Sequence, residues 1–144
     1  MSAVPSTAVD SKVPVQETPP SERIDGLAGP ALRTFFRIAE TWSLDEQEQM
    51  RVLGISNVAL LRAWRGGEPI GFDLVTLQRI SLVIGIFKTI NILLPDAARA
   101  DAWMRAPNKA RLLQGQSAIA FIIDGGLERL EALRAYLSAE AGNV

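Results

Sequence analysis

Apolar residues recur at three- and four-residue steps through most of the chain after residue 30, the spacing of one face of a helix. The first such pattern is formed by Leu32, Phe35, Phe36, Ala39 and Trp42. The alternation of apolar and polar residues that is typical of a half-buried strand is not sustained anywhere. We therefore predict an all-α fold of about seven helices.

Capping residues and glycines predict where the first helices begin and end. Ser43 and Glu46 have the spacing of a capping box, which predicts a short helix that ends at Gly54. Ser56 is the predicted N-cap of the next helix, which ends at Gly66–Gly67. The two helices and the tight turn between them have the layout of a helix-turn-helix.

The next two helices have clear polar caps and proline stops. Asp73 is the predicted N-cap of a long helix that runs to Leu94 and is ended by Pro95. Asp96 is the predicted N-cap of another helix, which breaks before Pro107. We expect Trp103, one turn before this break, to pack it against the last helix.

The chain closes with a short apolar turn and a final helix. Ser117 begins the apolar turn, and Gly125–Gly126 separates it from the final helix. Glu131 and Arg134 are predicted to form an exposed ion pair. The predicted inner face of the final helix consists of Leu127, Leu130, Leu133 and Leu137.

The long helix is apolar on nearly all sides, which predicts that it is surrounded by other elements. Its most apolar run, residues 80–94, is shorter than the roughly 20 residues of a membrane span and contains Ser81 and Lys88. We predict a buried helix in a cytoplasmic protein, with part of its surface covered by a second copy in a homodimer. The alternative is an internal core helix with no role in assembly. Gly85 in mid-helix predicts the close approach of another backbone.

Composition narrows the possible chemistry. The 144 residues include no histidine and no cysteine, so the commonest general base, metal ligand and thiol nucleophile are all absent. No metal cluster or nucleotide-binding glycine loop is visible, and we predict neither an enzyme nor a cofactor. The net charge of −1 gives no general attraction to nucleic acid or to anionic membrane.

Residues 1–27 contain four prolines among serine, threonine and valine, with no helical period. Such a segment buries too little apolar surface to offset its ordering entropy, so we predict a disordered tail over 1–27. The alternative is a peptide that a partner recruits.

Four residues of the helix-turn-helix are candidates for DNA contact, namely Ser56, Asn57, Arg62 and Arg65. Between residues 29 and 71, positive and negative side chains are equal in number, so the phosphate attraction that supplies most non-specific affinity is small. We expect any DNA binding to need a dimer. The alternative is a helical hairpin retained only for packing.

The last third of the chain carries a set of residues in a specific order: Trp103, Pro107, Asn108, Leu112, Gly115, Ser117, Gly125, Gly126, Arg134 and Tyr136. This set resembles the C-terminal toxin-binding domain of the Xre/MbcA/ParS antitoxins, the partners of RES-domain toxins that consume NAD. Ala118 stands where many relatives have proline. The helix-turn-helix resembles the Xre-type unit, so the resemblance covers residues 30 to about 140. From the residues alone, the last third reads as a helical cap on the long helix.

The resemblance implies a division into an Xre-like helix-turn-helix and dimerisation region, 28–94, and a toxin-binding domain, 95–144. It implies an antitoxin that blocks the active site of a RES-domain toxin, within a toxin–antitoxin hetero-oligomer, and that represses its own operon by binding operator DNA. The alternative function is a free-standing helix-turn-helix regulator without a toxin.

Overall fold

The computed structural model describes residues 20–142, with the side chains of residue 24 and of residues 26–142. The described chain is all-α, as predicted, and it contains seven helices and no strand. The helices are α1 Pro20–Thr41, α2 Glu46–Leu53, α3 Val58–Arg65, α4 Leu74–Leu93, α5 Ala97–Arg105, α6 Ala118–Ile123 and α7 Leu127–Gly142.

Helix α1 begins earlier than the prolines of the N-terminal segment suggest. Residues 20–27 are helical, so the predicted tail is wrong for that part of it, while residues 1–19 lie outside the described residues. Pro20 stands at the first helical position, where its missing N–H costs nothing. Ile24 and Ala28 already lie at helical spacing ahead of Leu32, and Ala28 is buried.

Two predicted N-caps are displaced along the chain. Helix α2 is capped by Asp45, which forms a complete capping box with Glu48, and not by Ser43. Ser43 adopts a φ of 58° and makes the turn that precedes the cap. Helix α3 is capped by Asn57, whose Oδ1 accepts from two amides of the helix, and not by Ser56. In both cases the predicted cap and the observed cap are residue types that are equally good at capping and stand within two positions of each other.

The other helix ends are where they were predicted. Gly54 ends α2 in the left-handed conformation with a φ of 76°. Asp73, Asp96 and Ser117 cap α4, α5 and α6, and each side chain accepts from an amide of the first turn.

Helix α4 is the centre of the fold and packs against both α1 and α7. Its inner residues Ile80, Val83 and Ile86 are completely buried, as is Leu133 of α7. A single cluster of buried residues therefore includes both of the segments 28–94 and 95–142. The segments on either side of the predicted boundary at 94/95 thus share one core.

By length and composition α4 is able to cross a bilayer, the one helix among residues 20–142 that meets this test. The core helix of a soluble protein has the same length and composition. In this fold α4 contributes to the core on one side, and its other side exposes Leu74, Val75 and Ile92.

The space beside Gly85 is filled by a side chain of another helix. The guanidinium of Arg134, from α7, occupies the space that a Cβ at Gly85 would take, so the predicted close approach of a backbone is wrong. Within the described structure Arg134 forms no ion pair with Glu131, which corrects the predicted exposed pair.

Candidate partner-binding surfaces

Helices α2 and α3 form a compact pair that packs on the core. Leu53, Leu61 and Trp64 are buried between the pair and the rest of the fold. The turn that joins the helices runs from Gly54 to Asn57. The solvent-facing side of α3 consists of Val58, Ala59, Arg62 and Arg65. The pair thus consists of two eight-residue helices joined by a short turn.

The two arginines of this face are bound to one acid of α2. Arg62 donates from Nε to Glu46 Oε2 at 3.1 Å and from Nη2 to Oε1 at 2.9 Å, and Arg65 Nη2 lies 3.2 Å from Glu46 Oε2. These hydrogen bonds lower the pKa of Glu46, so the carboxylate is charged at neutral pH. Glu46 therefore offsets one of the two positive charges on this face of α3, a contact that the sequence, which placed Glu46 in the cap, did not predict.

The remaining two candidates on this side differ in their roles. The Oδ1 atom of Asn57 is occupied by the cap of α3, while Ser56 is exposed in the turn. The structure thus brings Ser56, Asn57, Arg62 and Arg65 together on one element, with two arginines held by Glu46.

Some of the C-terminal residues on which the resemblance rests form hydrogen bonds that close a loop. The amide of Gly115 donates to the carbonyl of Asn108 at 2.7 Å, and the amide of Asn108 donates to the carbonyl of Gln116 at 3.2 Å. The Asn108 Oδ1 atom accepts from the amide of Ala110 at 2.8 Å. Gly115 has a φ of 92°, which favours glycine. These hydrogen bonds therefore close a loop that leads into the Ser117 cap of α6.

The Gly125–Gly126 pair also serves the architecture. Arg129 lies against Gly125, where an added Cβ would be 2.5 Å from the arginine Cδ. Its Nη1 atom donates to the carbonyl of Phe121 at 3.2 Å, and its guanidinium lies 4.5 Å from the centre of the Phe121 ring. Side chains at Gly125 would displace the arginine that covers the end of α6.

Trp103 and Tyr136 lie on one small apolar cleft. The cleft has a volume of about 250 Å³ and lies where the end of α4 meets α5 and α7. Both aromatic side chains are half-buried, and Glu140 contributes a carboxylate to the lining. Trp103 and residues of α7 line this cleft together, and its predicted packing against the last helix stays a prediction. The remaining residues of the resemblance are Pro107 and Arg134, which are exposed, and Leu112, which is half-buried.

Arg105 ties α5 to the beginning of α2, a contact with no local sequence signal. Its Nε donates to the carbonyl of Trp42 at 3.2 Å, and its Nη2 donates to the carbonyl of Ser43 at 2.7 Å. Both Nη atoms also bond to Glu48, at 2.9 and 3.0 Å. One arginine thus joins the end of α1, the cap of α2 and the C-terminal segment.

Comparison with known proteins finds one relative of nearly the same length. The chain is 34% identical over 131 residues to the uncharacterized protein y4oB of Sinorhizobium fredii, which covers 90% of this chain and 97% of that protein. The chain belongs to the y4oB family. No family model matches the chain, and no solved structure matches it. An alignment of this length includes both the α2–α3 pair and the C-terminal segment of this y4oB-family protein.

In this y4oB-family protein the Glu48–Arg105 contact makes stability depend on pH. The hydrogen bond from Arg105 holds the pKa of Glu48 below its usual value of 4.5. The carboxylate therefore stabilises the fold above pH 4.5, and the contribution is lost as the pH falls through the lowered pKa. We expect Glu48→Gln to lower the free energy of unfolding by about 1 kcal/mol at pH 7.

Urea unfolding followed by circular dichroism checks this expectation, because the difference between Glu48→Gln and wild type should shrink towards zero at about pH 3. Glutamine is also accepted in a capping box, so the substitution isolates the charge. Glu128→Gln, at an exposed residue in the first turn of α7, is the matched control. A difference that stays constant down to low pH would show that the Arg105 contact does not stabilise the fold through its charge.

Proposed function

We propose that this protein is an antitoxin that binds a RES-domain toxin through its C-terminal segment and blocks the NAD site of that toxin. In this proposal the N-terminal segment forms a homodimer and binds operator DNA, which represses the operon. The protein works in the cytoplasm and needs no cofactor. The observation that carries the proposal is the open cleft on which Trp103 and Tyr136, both marked by the resemblance, lie together.

The C-terminal residues fall into two groups, those that stabilise the fold and those that are exposed, and this difference supports the assignment. Asn108, Gly115, Ser117 and Gly125 are used to close a loop and to hold helix ends. Trp103 and Tyr136, in contrast, remain accessible to a partner, because both side chains are partly exposed to solvent. Tryptophan, tyrosine and arginine are the residues most enriched at the energetic centres of protein interfaces.

The exposed apolar surface continues beyond the cleft. Ile92, on the last turn of α4 and close in sequence to the cleft residues Leu93 and Leu94, is 67% exposed. An apolar patch beside a pocket that carries aromatic residues is typical of a protein-binding surface. This surface belongs to the C-terminal end of the α4–α7 pair.

A decisive experiment uses the full chain together with the protein encoded by the adjacent gene. Co-expression, co-purification and an assay of NAD consumption test whether this protein captures and inhibits that partner. The runner-up function is a free-standing regulator, and it takes precedence if the adjacent gene encodes no RES-type protein. Failure of the pair to co-purify would remove the antitoxin assignment.

The DNA-binding half of the proposal makes a prediction about Glu46. Glu46→Gln removes the charge that holds Arg62 and Arg65, so both guanidinium groups gain freedom to meet phosphates. We expect tighter binding to the promoter of the operon and a steeper dependence on salt, by about 0.9 in the log–log slope for each phosphate gained. The free energy of unfolding should fall by no more than about 1 kcal/mol, because the ion pairs are exposed.

Fluorescence anisotropy with a labelled promoter duplex measures both quantities. Glu131→Gln, which removes one exposed carboxylate from α7, controls for the change in net charge. Equal salt slopes for Glu46→Gln and Glu131→Gln would contradict a role for Arg62 and Arg65 at phosphates.

The homodimer half of the proposal rests on the uncovered side of α4. Leu74 and Val75 are 52% and 50% exposed, and Ile70 just before them is 63% exposed. A neighbouring groove of about 410 Å³ runs between α4 and α7 and is lined in part by Leu77 and Leu127. Apolar surface of this kind at the start of a long helix favours a second copy as its cover.

Light scattering at micromolar concentration should give a mass of at least twice 15.6 kDa. Leu74→Glu should return the protein to a monomer with unchanged helicity, because the leucine is half-exposed in the single chain. Ala139→Glu adds the same charge on an exposed face of α7 and should leave the dimer intact. A wild-type monomer at these concentrations would remove the homodimer.

A further inference from the structure

A cleft of about 420 Å³ lies between α1 and the C-terminal end of α3. Arg33 and Arg37 of α1 and Arg65 of α3 line it, and Phe36 and Trp64 provide apolar surface. Among the described residues that line the cleft there is no carboxylate. It is therefore a positive cleft in a protein whose net charge is −1.

The third arginine of the cleft is held in a fixed position. Arg65 Nη2 lies 3.2 Å from Glu46 Oε2 and 3.4 Å from Gln49 Oε1, and the guanidinium lies 5.7 Å from the centre of the Phe36 ring. Arg65 therefore lies at the edge of the cleft with part of its charge offset by Glu46, and Arg33 and Arg37 supply most of the positive charge of the cleft.

The two arginines of α1 lie one turn apart on the same face. Like charges at this spacing repel each other in a helix, so the arrangement works against the stability of α1. A bound anion would offset this repulsion, because both arginines would be attracted to the anion. Gly29, one turn before Arg33, leaves space for that side chain, since a Cβ at Gly29 would lie 3.3 Å from Arg33 Nη1.

The cleft also lies beside the face of α3 that the proposed function assigns to DNA. Contacts to phosphates outside the reading helix fix the position and orientation of a protein on the duplex. Arginine matches phosphate geometry with paired donors, which makes it suited to this contact. A duplex bound along α3 would therefore bring its phosphates close to the cleft.

We infer that Arg33 and Arg37, with Arg65 beside them, bind phosphate groups of a DNA backbone in the cleft between α1 and α3. This inference rests on the DNA-binding half of the proposed function and assigns it two residues outside the α2–α3 pair. A free nucleotide offers the same phosphate chemistry, and the experiment separates the two sources.

The test compares Arg33→Gln/Arg37→Gln with Arg99→Gln/Arg111→Gln, a control that removes two exposed arginines from the C-terminal segment. Anisotropy is measured with a labelled promoter duplex, with a scrambled duplex of the same length, and with fluorescent ADP. We expect the first variant to bind both duplexes roughly tenfold more weakly and to flatten the salt slope by about 1.8, for two lost phosphate contacts. The control should keep the wild-type slope.

Several results would overturn the inference. If wild type binds the promoter but the two double variants share one salt slope, the cleft does not meet the backbone and the proposed DNA binding stands. If fluorescent ADP binds wild type, is lost in Arg33→Gln/Arg37→Gln, and the duplex slope is unchanged, the phosphate source is a free nucleotide. If wild type binds no duplex at low salt, the DNA-binding half of the proposed function fails as well. Inhibition of the toxin, at the other end of α4, should be equal for wild type and Arg33→Gln/Arg37→Gln.

Discussion

Under the proposed antitoxin function, Tyr136→Ala should release the partner toxin from inhibition. Tyr136 lies on the cleft with Trp103, and truncation of a central aromatic residue at an interface costs about 2 kcal/mol or more. This loss corresponds to a dissociation constant about 30-fold higher. A titration of NAD consumption by the toxin against increasing antitoxin measures the shift directly.

Two controls separate the contact from the fold. Tyr136→Phe keeps the ring and should inhibit nearly as well as wild type, while Ile70→Ala alters an exposed apolar residue on the loop before α4. The urea midpoint of each variant verifies that it is folded. A folded Tyr136→Ala protein that inhibits the toxin fully would move the binding surface away from this cleft.

Ile86→Asp should unfold the protein. Ile86 is completely buried at the centre of α4, and the substitution removes apolar contacts and also buries a carboxylate without a partner. A cost of at least about 4 kcal/mol is expected, a large part of the stability of an ordinary domain. Circular dichroism during urea unfolding should show a strongly lowered midpoint or the absence of a folded baseline.

Ile92→Asp is the matched control because it makes the same change on the same helix. Ile92 is 67% exposed, so its substitution should shift the free energy of unfolding by only about 0.5 kcal/mol. Equal midpoints for the two variants would show that α4 is not the core helix of the fold.

Helix ends were predictable where a single capping residue stood before an apolar run. Asp73, Asp96 and Ser117 each cap the helix that the sequence assigned to them. Where two capping types stand close together, the sequence alone was insufficient. Ser43 makes a turn in the left-handed region and leaves the cap to Asp45, because the path of the chain decides which oxygen faces the open amides.

The start of α1 was missed for a related reason. Prolines at residues 19 and 20 masked the helical spacing of Ile24 and Ala28, although proline is favoured at a first helical position. The prediction from composition therefore set the end of the tail too late in the chain.

The contacts made by the candidate residues could not be predicted from the sequence. The pairing of Arg62 and Arg65 with Glu46 joins residues that lie 16 and 19 positions apart, and the bonds of Arg105 to Trp42 and Ser43 span more than 60. Such contacts depend on how helices cross, and no local pattern records them. The convergence of Trp103 and Tyr136 on one cleft has the same origin.

The arginines that lie over glycines have a consequence for the history of the family. Gly54, Gly85 and Gly125 each face an arginine whose atoms occupy the place of a β-carbon, so the two members of each pair are not free to drift independently. Across y4oB relatives, a larger residue at one of these glycines should coincide with a shorter residue at its arginine. The coupling should be strongest for Gly125 and Arg129, because the contact there involves the inner Cγ and Cδ atoms of an arginine that is also bonded to Phe121.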